Sequence, residues 1–315
     1  MPYISVIIPN YNGSRWLPAT LDSCLNQKEF LKEIIVVDDF STDDSWAILE
    51  NYCTIYPDII KIHQNENKGG NNARNLGFRK STGDYIQWLD ADDQVCEGKF
   101  GNQLKALQGQ PGIDIVYSDW QIDTYAGNGH LVLNEFIKNH TSSDFLLKIL
   151  KNDWSAPHVY LMKREMAELL NLKVAWNPET TVGQDREYFT IAAILGAKFG
   201  YAPGNYAIYN RWNKSSVSNV NEKIRFRDLE KMLTRFEALL AKQDWISQER
   251  MSNIAQIIFT ERLLLKTLGH PVCFESDSIL KFKNVRWKSI SGFRTSVKVF
   301  LTFIRLKLKI EFWPL

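Results

Sequence analysis

Apolar and polar positions follow two alternating periods over the first ninety residues. Tyr3 to Ile8 is a β-branched run stopped by Pro9, which predicts a strand ending in the turn Asn10-Tyr11-Asn12-Gly13. Leu17, Leu21, Cys24 and Leu25 then recur at helical spacing, with Ser14 as candidate cap. A second strand, Glu33 to Val37, runs into Asp38-Asp39, and a helix follows through Trp46, Ile48, Leu49 and Tyr52. Ile59 to Ile62 reads as a third strand, Asn67-Lys68-Gly69-Gly70 as the lead into helix 71–80, and Asp84 to Leu89 as a fourth strand. Strands and helices taking strict turns predict an α/β fold, with a largely parallel sheet covered on both faces.

Beyond residue 98 the pattern loosens. It predicts a helix near Phe100 to Leu107, a strand Asp114 to Tyr117, a hairpin or mobile loop over 121–142, and a helix 143–151. A short strand Val159 to Met162, a helix opened by Gly183-Gln184-Asp185 and running to Leu195, and two strands near 198–201 and 204–210 follow. From Glu222 the chain reads as helix, with Phe226, Leu229, Leu233, Phe236 and Leu240 in phase, and a second helix spans Ile246 to Leu268. The expected division is a domain over 1–220 and a helical C-terminal extension over 221–315.

Composition narrows the class. With 44% hydrophobic and 23% charged residues in 315, this is a folded globular chain, not a disordered one. Charge is distributed unevenly: from Ile279 onward nine Lys or Arg face one acid, Glu311, leaving the preceding body net acidic. The four cysteines, Cys24, Cys53, Cys96 and Cys273, lack metal-site spacing and suit a reducing compartment. The chain starts directly with a strand and has no apolar run near the ~20 residues that span a bilayer. These features predict a cytoplasmic protein.

Ligands of such sheets sit beyond the carboxyl ends of the strands, and here all four ends carry polar groups: Asn10 to Gly13, Asp38-Asp39, Asn65 to Gly70 and Asp90 to Asp93. The last holds three carboxylates in four residues, which repel one another unless a cation sits among them. A divalent ion such as Mg²⁺ or Mn²⁺ held by one or two carboxylates plus substrate phosphates meets that need; a solvated acidic loop is the alternative.

Together, Ser5-Val6-Ile7-Ile8-Pro9-Asn10-Tyr11-Asn12-Gly13, Val36-Val37-Asp38-Asp39-Phe40-Ser41-Thr42-Asp43, Asn67-Lys68-Gly69-Gly70 with Ala73-Arg74-Asn75, and Leu89-Asp90-Ala91-Asp92-Asp93 resemble the family 2 glycosyltransferases of GT-A fold. The resemblance covers 3–95 strongly, extends to about 218 and stops there. It implies a Rossmann-like mixed sheet and an inverting enzyme that uses a nucleotide-sugar donor, a UDP-sugar foremost, with Mn²⁺ or Mg²⁺. By the same resemblance Pro9, Tyr11 and Asn12 would flank the base, with the Tyr11 ring for stacking, and Asp39 would accept from the base. Lys68, Gly69 and Arg74 would close over the nucleotide, Asp90 and Ala91 would approach the ribose or sugar, and Asp92 would hold the metal.

A displacement at the anomeric carbon also needs a base for the acceptor hydroxyl. The family's acidic pair at a helix start matches Gln184-Asp185, ninety-three residues from Asp92 to Asp185, so Asp185 is the expected base despite the Gln. Arg211-Trp212-Asn213-Lys214 resembles a later R-x-H-x-x-S stretch with Asn213 in the His position, which puts a third metal ligand in doubt. Arg211 or Lys214 would then face the departing diphosphate, and His158 the acceptor. The processive members' Q-x-x-R-W is absent, since Lys283 precedes Arg286-Trp287 where Gln is required, so one sugar per encounter is expected. The implied setting is bacterial surface polysaccharide synthesis on a glycan or lipid-linked acceptor.

The tail sets basic residues Lys298, Arg305, Lys307 and Lys309 among Phe300, Phe303, Phe312 and Trp313, which suits peripheral contact with the inner face of a membrane through 279–315. No nucleic-acid module accompanies it. Two other classes compete: a phosphotransferase using Asp90 as nucleophile, disfavoured by Gln94, and a non-catalytic sugar-nucleotide-binding protein, favoured by Gln184 and Asn213.

Overall fold

A computed structural model of the chain describes residues 3–153, 155–173, 176–212 and 221–270. The tail, Cys273, Asn213 and Lys214 lie outside these residues. The elements run β1 (Ile4–Asn10), α1 (Leu17–Leu25), β2 (Leu31–Asp38), α2 (Ser45–Ile55), β3 (Ile60–Gln64), α3 (Gly70–Lys80) and β4 (Tyr85–Trp88). They continue as β5 (Gln94–Val95), α4 (Lys99–Gly109), β6 (Ile115–Tyr125), β7 (Leu131–Ile137), α5 (Phe145–Leu150), β8 (Leu161–Lys163) and α6 (Arg164–Lys173). Last come α7 (Gln184–Ile194), β9 (Phe199–Trp212), α8 (Glu222–Leu240) and α9 (Gln248–Thr267).

The strands form one mixed sheet in the order β3-β2-β1-β4-β8-β6-β9-β5, with β7 paired to β6. The first four strands are mutually parallel, as the strict strand–helix turns predict. β8 runs antiparallel to both β4 and β6, whereas β6 and β9 are parallel. The chain winds outward from β1 through β2 to β3, then returns to the other side of β1 as β4. That reversal opens a crevice at the carboxyl end of β1, between Asp38-Asp39 and Asp90–Asp93.

Strand alternation divides the core. Val6, Ile8, Ile34 and Val36 pack with α1 and α4 through Leu21 and Phe100, while Ile7, Ile86 and Trp88 pack with Tyr188 and Phe189 of α7. The second cluster also takes in Met232, Leu233, Phe236 and Leu240 of α8 and Ile254, Ile258 and Leu265 of α9. The C-terminal helices thus share a core with the sheet. Among the described residues no helix is long and apolar enough to cross a membrane.

The segment 121–142 is a hairpin, one of the two forms expected of it: β6 continues to Tyr125, and Ala126 N–H donates to His130 O across the turn at 2.8 Å. Other expectations need correction. The two strands expected near 198–210 are a single β9, because Pro203-Gly204 forms an irregularity in the ladder instead of a turn. Gly204 adopts φ +132° there, a conformation L side chains avoid, and its N–H donates to Asp119 Oδ2 at 3.2 Å. Strand β5 and helix α6 went unforeseen. β5 has only two residues, and α6 buries only Ala167 and Leu170, too few to mark a periodic face.

Candidate active site

The β1 and β2 ends build one wall of the crevice from their own polar side chains. Asn10 Nδ2 donates to Asp38 Oδ1 at 2.8 Å, Ser41 N–H to Asp38 Oδ2 at 2.9 Å, and Asn12 N–H to Ser41 Oγ at 2.8 Å. Thr42 N–H donates to Asn12 Oδ1 at 2.7 Å, and Asn12 holds φ +51°. Pro9 pairs with Val37 at the foot of this loop. Asp39 is buried; its carboxylate accepts from Asn65 Nδ2 at 2.7 Å and from Gly69 N–H at 2.9 and 2.8 Å. The carboxylate therefore ties the Lys68–Gly69 turn to β2. Above it Lys68 Nζ lies 5.6 Å from the centre of the exposed Tyr11 ring, so the two expected nucleotide contacts form one cation–π pair at the mouth.

The opposite wall is the acidic turn after β4. Its backbone is pinned from three sides. Asp93 N–H donates to Asp90 O at 3.1 Å, Thr20 Oγ1 to Ala91 O at 2.8 Å, and Asn210 Nδ2 to Asp92 O at 2.7 Å. Strand β5 then leaves the turn to pair with β9. Asp90 and Asp92 stay half-buried, in contact with solvent but largely enclosed, as groups in a cleft are. Withdrawal from water, reinforced by the charge of Asp90, pushes the Asp92 carboxyl up to about 7.

Arg74 joins the elements. Its Nη2 pairs with Asp90 Oδ1 at 2.5 Å, its Nη1 donates to Gln184 Oε1 at 3.1 Å and Asn71 Oδ1 at 3.2 Å, and its guanidinium lies 4.6 Å from the centre of the Trp176 ring. Burial and then the charge of Asp90 raise Asp185 to about 6, with Arg74 opposing. Asp185, Asp90, Asp92 and Arg74 thus share one electrostatic field, although 110 residues separate Arg74 from Gln184.

The Gln at 184 has a structural reason. Its Oε1 accepts from Arg74, while its Nε2 donates to Thr180 O at 3.0 Å and Thr181 O at 3.2 Å. A carboxylate satisfies only the first of these contacts and repels the two carbonyls. The amide also leaves Asp185 without an adjacent negative charge.

His158, expected at the acceptor, is fully buried and therefore out of reach of one. It sits beneath the acidic turn, its Nδ1 3.2 Å from Oδ2 of the equally buried Asp93, whose Oδ1 accepts from Asn210 N–H at 2.8 Å. Burial holds His158 down to about 3, so its ring is neutral at pH 7, and burial also pushes Asp93 well above its ordinary range. Arg211 is half-exposed on β9 and faces Glu135 of β7 at 3.9 Å. Lys214 lies outside the described residues.

Sequence patterns missed several residues that form the site. Tyr209 of β9 feels the charges of Asp93, Asp92, Asp90 and Asp185, which with burial raise its phenol above the ordinary value. Asn210 locks the acidic turn, and Asn71 and Trp176 hold the neighbourhood of Arg74. Strand and helix periodicity treats all four as ordinary positions, and only β9's return beside β5 gives Tyr209 and Asn210 their setting.

Metal chemistry fits one part of this crevice. Among the described residues no three His, Cys, Asp or Glu side chains surround a common point, and no ion pair involves Asp92. An uncompensated, enclosed carboxylate beside a second one suits a hard cation whose other ligands come from phosphate oxygens and water.

A Rossmann-like mixed sheet with this acidic crevice at its strand ends is the GT-A class of glycosyltransferase fold. The chain belongs to glycosyl transferase family 2, whose profile matches residues 5–163. An uncharacterized glycosyltransferase of Haemophilus influenzae is 34% identical over 173 residues, 54% of this chain and 66% of that one. The minor teichoic acid biosynthesis protein GgaA of Bacillus subtilis is 31% identical over 220 residues, 68% of this chain and 48% of its own. The chain thus spans from about half to just under two thirds of these relatives. Among solved structures, S. aureus TarS 1-349 in complex with UDP-GlcNAc superposes with a TM-score of 0.63 at 18% identity, covering 96% of this chain and 81% of that one. Mannosyltransferase PcManGT of Pyrobaculum calidifontis in complex with GDP-Man and Mn²⁺ gives 0.53 at 16% identity, covering 98% and 86%. At such identities what is shared is the fold.

Proposed function

We propose that this chain is an inverting, non-processive transferase that moves one sugar from a UDP-sugar to a hydroxyl of a glycan or lipid-linked acceptor in surface polysaccharide synthesis. The observation that carries the reading is the convergence of Asp90, Asp92 and Asp185 around Arg74 at the carboxyl end of the sheet. The teichoic acid relatives support the acceptor class, and the UDP-GlcNAc complex of a protein with this fold supports the donor.

In this reading the Asn10–Asn12 loop, Tyr11, Lys68 and Asp39 hold the nucleoside, the free lone pairs of Asp39 accepting from the base. Arg74 pairs with Asp90 and orients it toward the ribose or sugar. Asp92 would hold Mn²⁺ or Mg²⁺, which would supply positive charge at the diphosphate. Asp185 takes the proton of the acceptor hydroxyl as that oxygen bonds to the anomeric carbon, and the nucleoside diphosphate leaves with the electrons of the broken bond. A base of pKa about 6 is ionised at neutral pH and still basic enough for this transfer. The basic tail 279–315 is the proposed contact with a membrane carrying a lipid-linked acceptor, on its cytoplasmic face; nucleic acid has no part in this reading.

The test is a thermal-shift screen of UDP- and GDP-sugars with and without Mn²⁺, followed by nucleotide release. A metal-dependent rise in Tm with a UDP-sugar, and release that Asp185→Asn abolishes, are expected. Tight binding with no release from any donor–acceptor pair tried would leave only a sugar-nucleotide-binding protein.

A further inference from the structure

Helix α8 lies beyond the matched family segment 5–163 and beyond the reach of the sequence resemblance. It nonetheless touches the segment that leads into Asp185. Asp228 of α8 is 1% exposed, and its Oδ2 accepts from Thr181 N–H at 2.7 Å and Val182 N–H at 3.2 Å. Its other oxygen accepts from Arg227 Nη2 at 2.7 Å and Nε at 3.0 Å. One turn later Met232 packs against Gly183, which takes φ +74° and starts α7 without a capping side chain. Another turn on, Arg235 pairs with Glu187, whose second oxygen accepts from Thr180 Oγ1 at 2.6 Å.

The same segment is held from the other side by α3. Asn71 Nδ2 donates to Asn177 O at 2.6 Å and Thr180 O at 3.3 Å, and Arg74 reaches it through Gln184. Residues 177–184 are therefore suspended between two helices that are far apart in sequence. Local bonds shape their turn, since Thr180 N–H donates to Asn177 O at 3.1 Å and Asn177 Nδ2 to Thr180 Oγ1 at 2.8 Å, while Gly183 holds φ +74°. What α3 and α8 add is the anchoring of that turn against the rest of the fold.

We infer that Asp228 is a positioning residue for the transfer reaction: by accepting the Thr181 and Val182 amides it sets the segment that aims Asp185 into the crevice. The claim rests on the reading of Asp185 as base, while the clamp itself can be measured without any turnover. Carboxylate-to-amide hydrogen bonds are the stronger, charge-assisted kind, and about 1 Å of misplacement of a reacting group costs on the order of 10²-fold in rate.

The experiment compares Asp228→Ala and Asp228→Asn with the parent chain. Readouts are amide hydrogen exchange, UDP binding with Mn²⁺ by calorimetry, and UDP release from UDP-GlcNAc. In Asp228→Ala, exchange at Thr181 and Val182 accelerates while β1–β4 stay protected, UDP affinity holds within about threefold, and release falls about 10- to 100-fold. Asparagine keeps a carbonyl oxygen able to take both amides, so Asp228→Asn retains the protection and most of the release. Unchanged exchange at 181–182 in Asp228→Ala overturns the clamp, as does intact release, or an Asp228→Asn protein as defective as the alanine variant. Failure of the transferase reading looks different: the parent chain neither binds UDP nor releases it, yet its 181–182 protection still depends on Asp228.

Discussion

The two walls of the crevice are built by different means. On the nucleotide side, Asn10, Asn12, Asp38, Ser41 and Asp39 bond to one another and to Asn65 and Gly69 within the first seventy residues. On the opposite side Asp92 and Asp93 depend on Asn210, Gln184 depends on Arg74, and the Asp185 segment depends on Asp228. The first wall closes with its own strands. The second exists only when β9, α7 and α8 have all docked. In the proposed reading, binding of the nucleoside is therefore a local property of the sheet, whereas the groups proposed for the metal and the proton answer to distant parts of the chain.

The largest effects should come from the docked wall. Asp185→Asn is expected to lower transfer by 10³-fold or more with UDP affinity nearly unchanged, which steady-state kinetics and calorimetry would separate. Equal losses of affinity and turnover would contradict the division of labour between the walls. Arg74→Ala should cost about 10²-fold. It strands Asp90 and removes a positive charge that opposes the rise at Asp185, so the acid limb of the turnover profile moves above its expected place near pH 6. The sign follows from the role: a base must be ionised, so activity is lost as pH falls through its pKa, and raising that pKa moves the loss upward. A limb that stays put would remove Arg74 from the electrostatics of Asp185.

Gln184→Glu should act in the same direction but less strongly, about tenfold in turnover at pH 6 and less at pH 8, since it adds a negative charge beside Asp185 and repels Thr180 O and Thr181 O. A faster Gln184→Glu enzyme would mean that the departure from the family's Glu-Asp pair is a loss, not an adaptation.

The smallest effect concerns stability. Lys99 is fully buried, donates to Gln103 Oε1 at 2.7 Å, and is pushed down to about 7 by burial. Its folded pKa lies below its unfolded one, so the unfolded chain binds the extra proton and stability rises with pH from about 7 toward 10.5. The slope is at most about 1.4 kcal/mol per pH unit, and in Lys99→Met this component of the pH dependence of Tm should vanish. An unchanged dependence would mean that Lys99 keeps its proton in the folded state.

These contrasts also mark what was legible in the residues alone. Asp39, Asp90 and Asp92 stand where short, mostly apolar strand runs stop, and that much is written in local periodicity. His158 was misassigned for the opposite reason: a polar residue after Ala156-Pro157 looks accessible in one dimension, yet the 3-10 turn at Pro157–Val159 tucks it under Asp93. Gln184 looked like a missing acid until its amide was seen to bridge Arg74 and two carbonyls.

By itself the sequence determined the parallel first half of the sheet, the acids at its mouth and the family to which the chain belongs, because these rest on hydrophobic period, turn chemistry and short motifs. Only the tertiary structure decided that Asn210 bonds to the acidic turn and Asp228 to the Thr181–Val182 amides, that His158 is buried beneath Asp93, and that β9 is one strand. The physical reason is range. Period and turns are set by neighbours within about ten residues, whereas the docked wall is made of single hydrogen bonds between residues up to 118 apart, which leave no repeating trace along the chain.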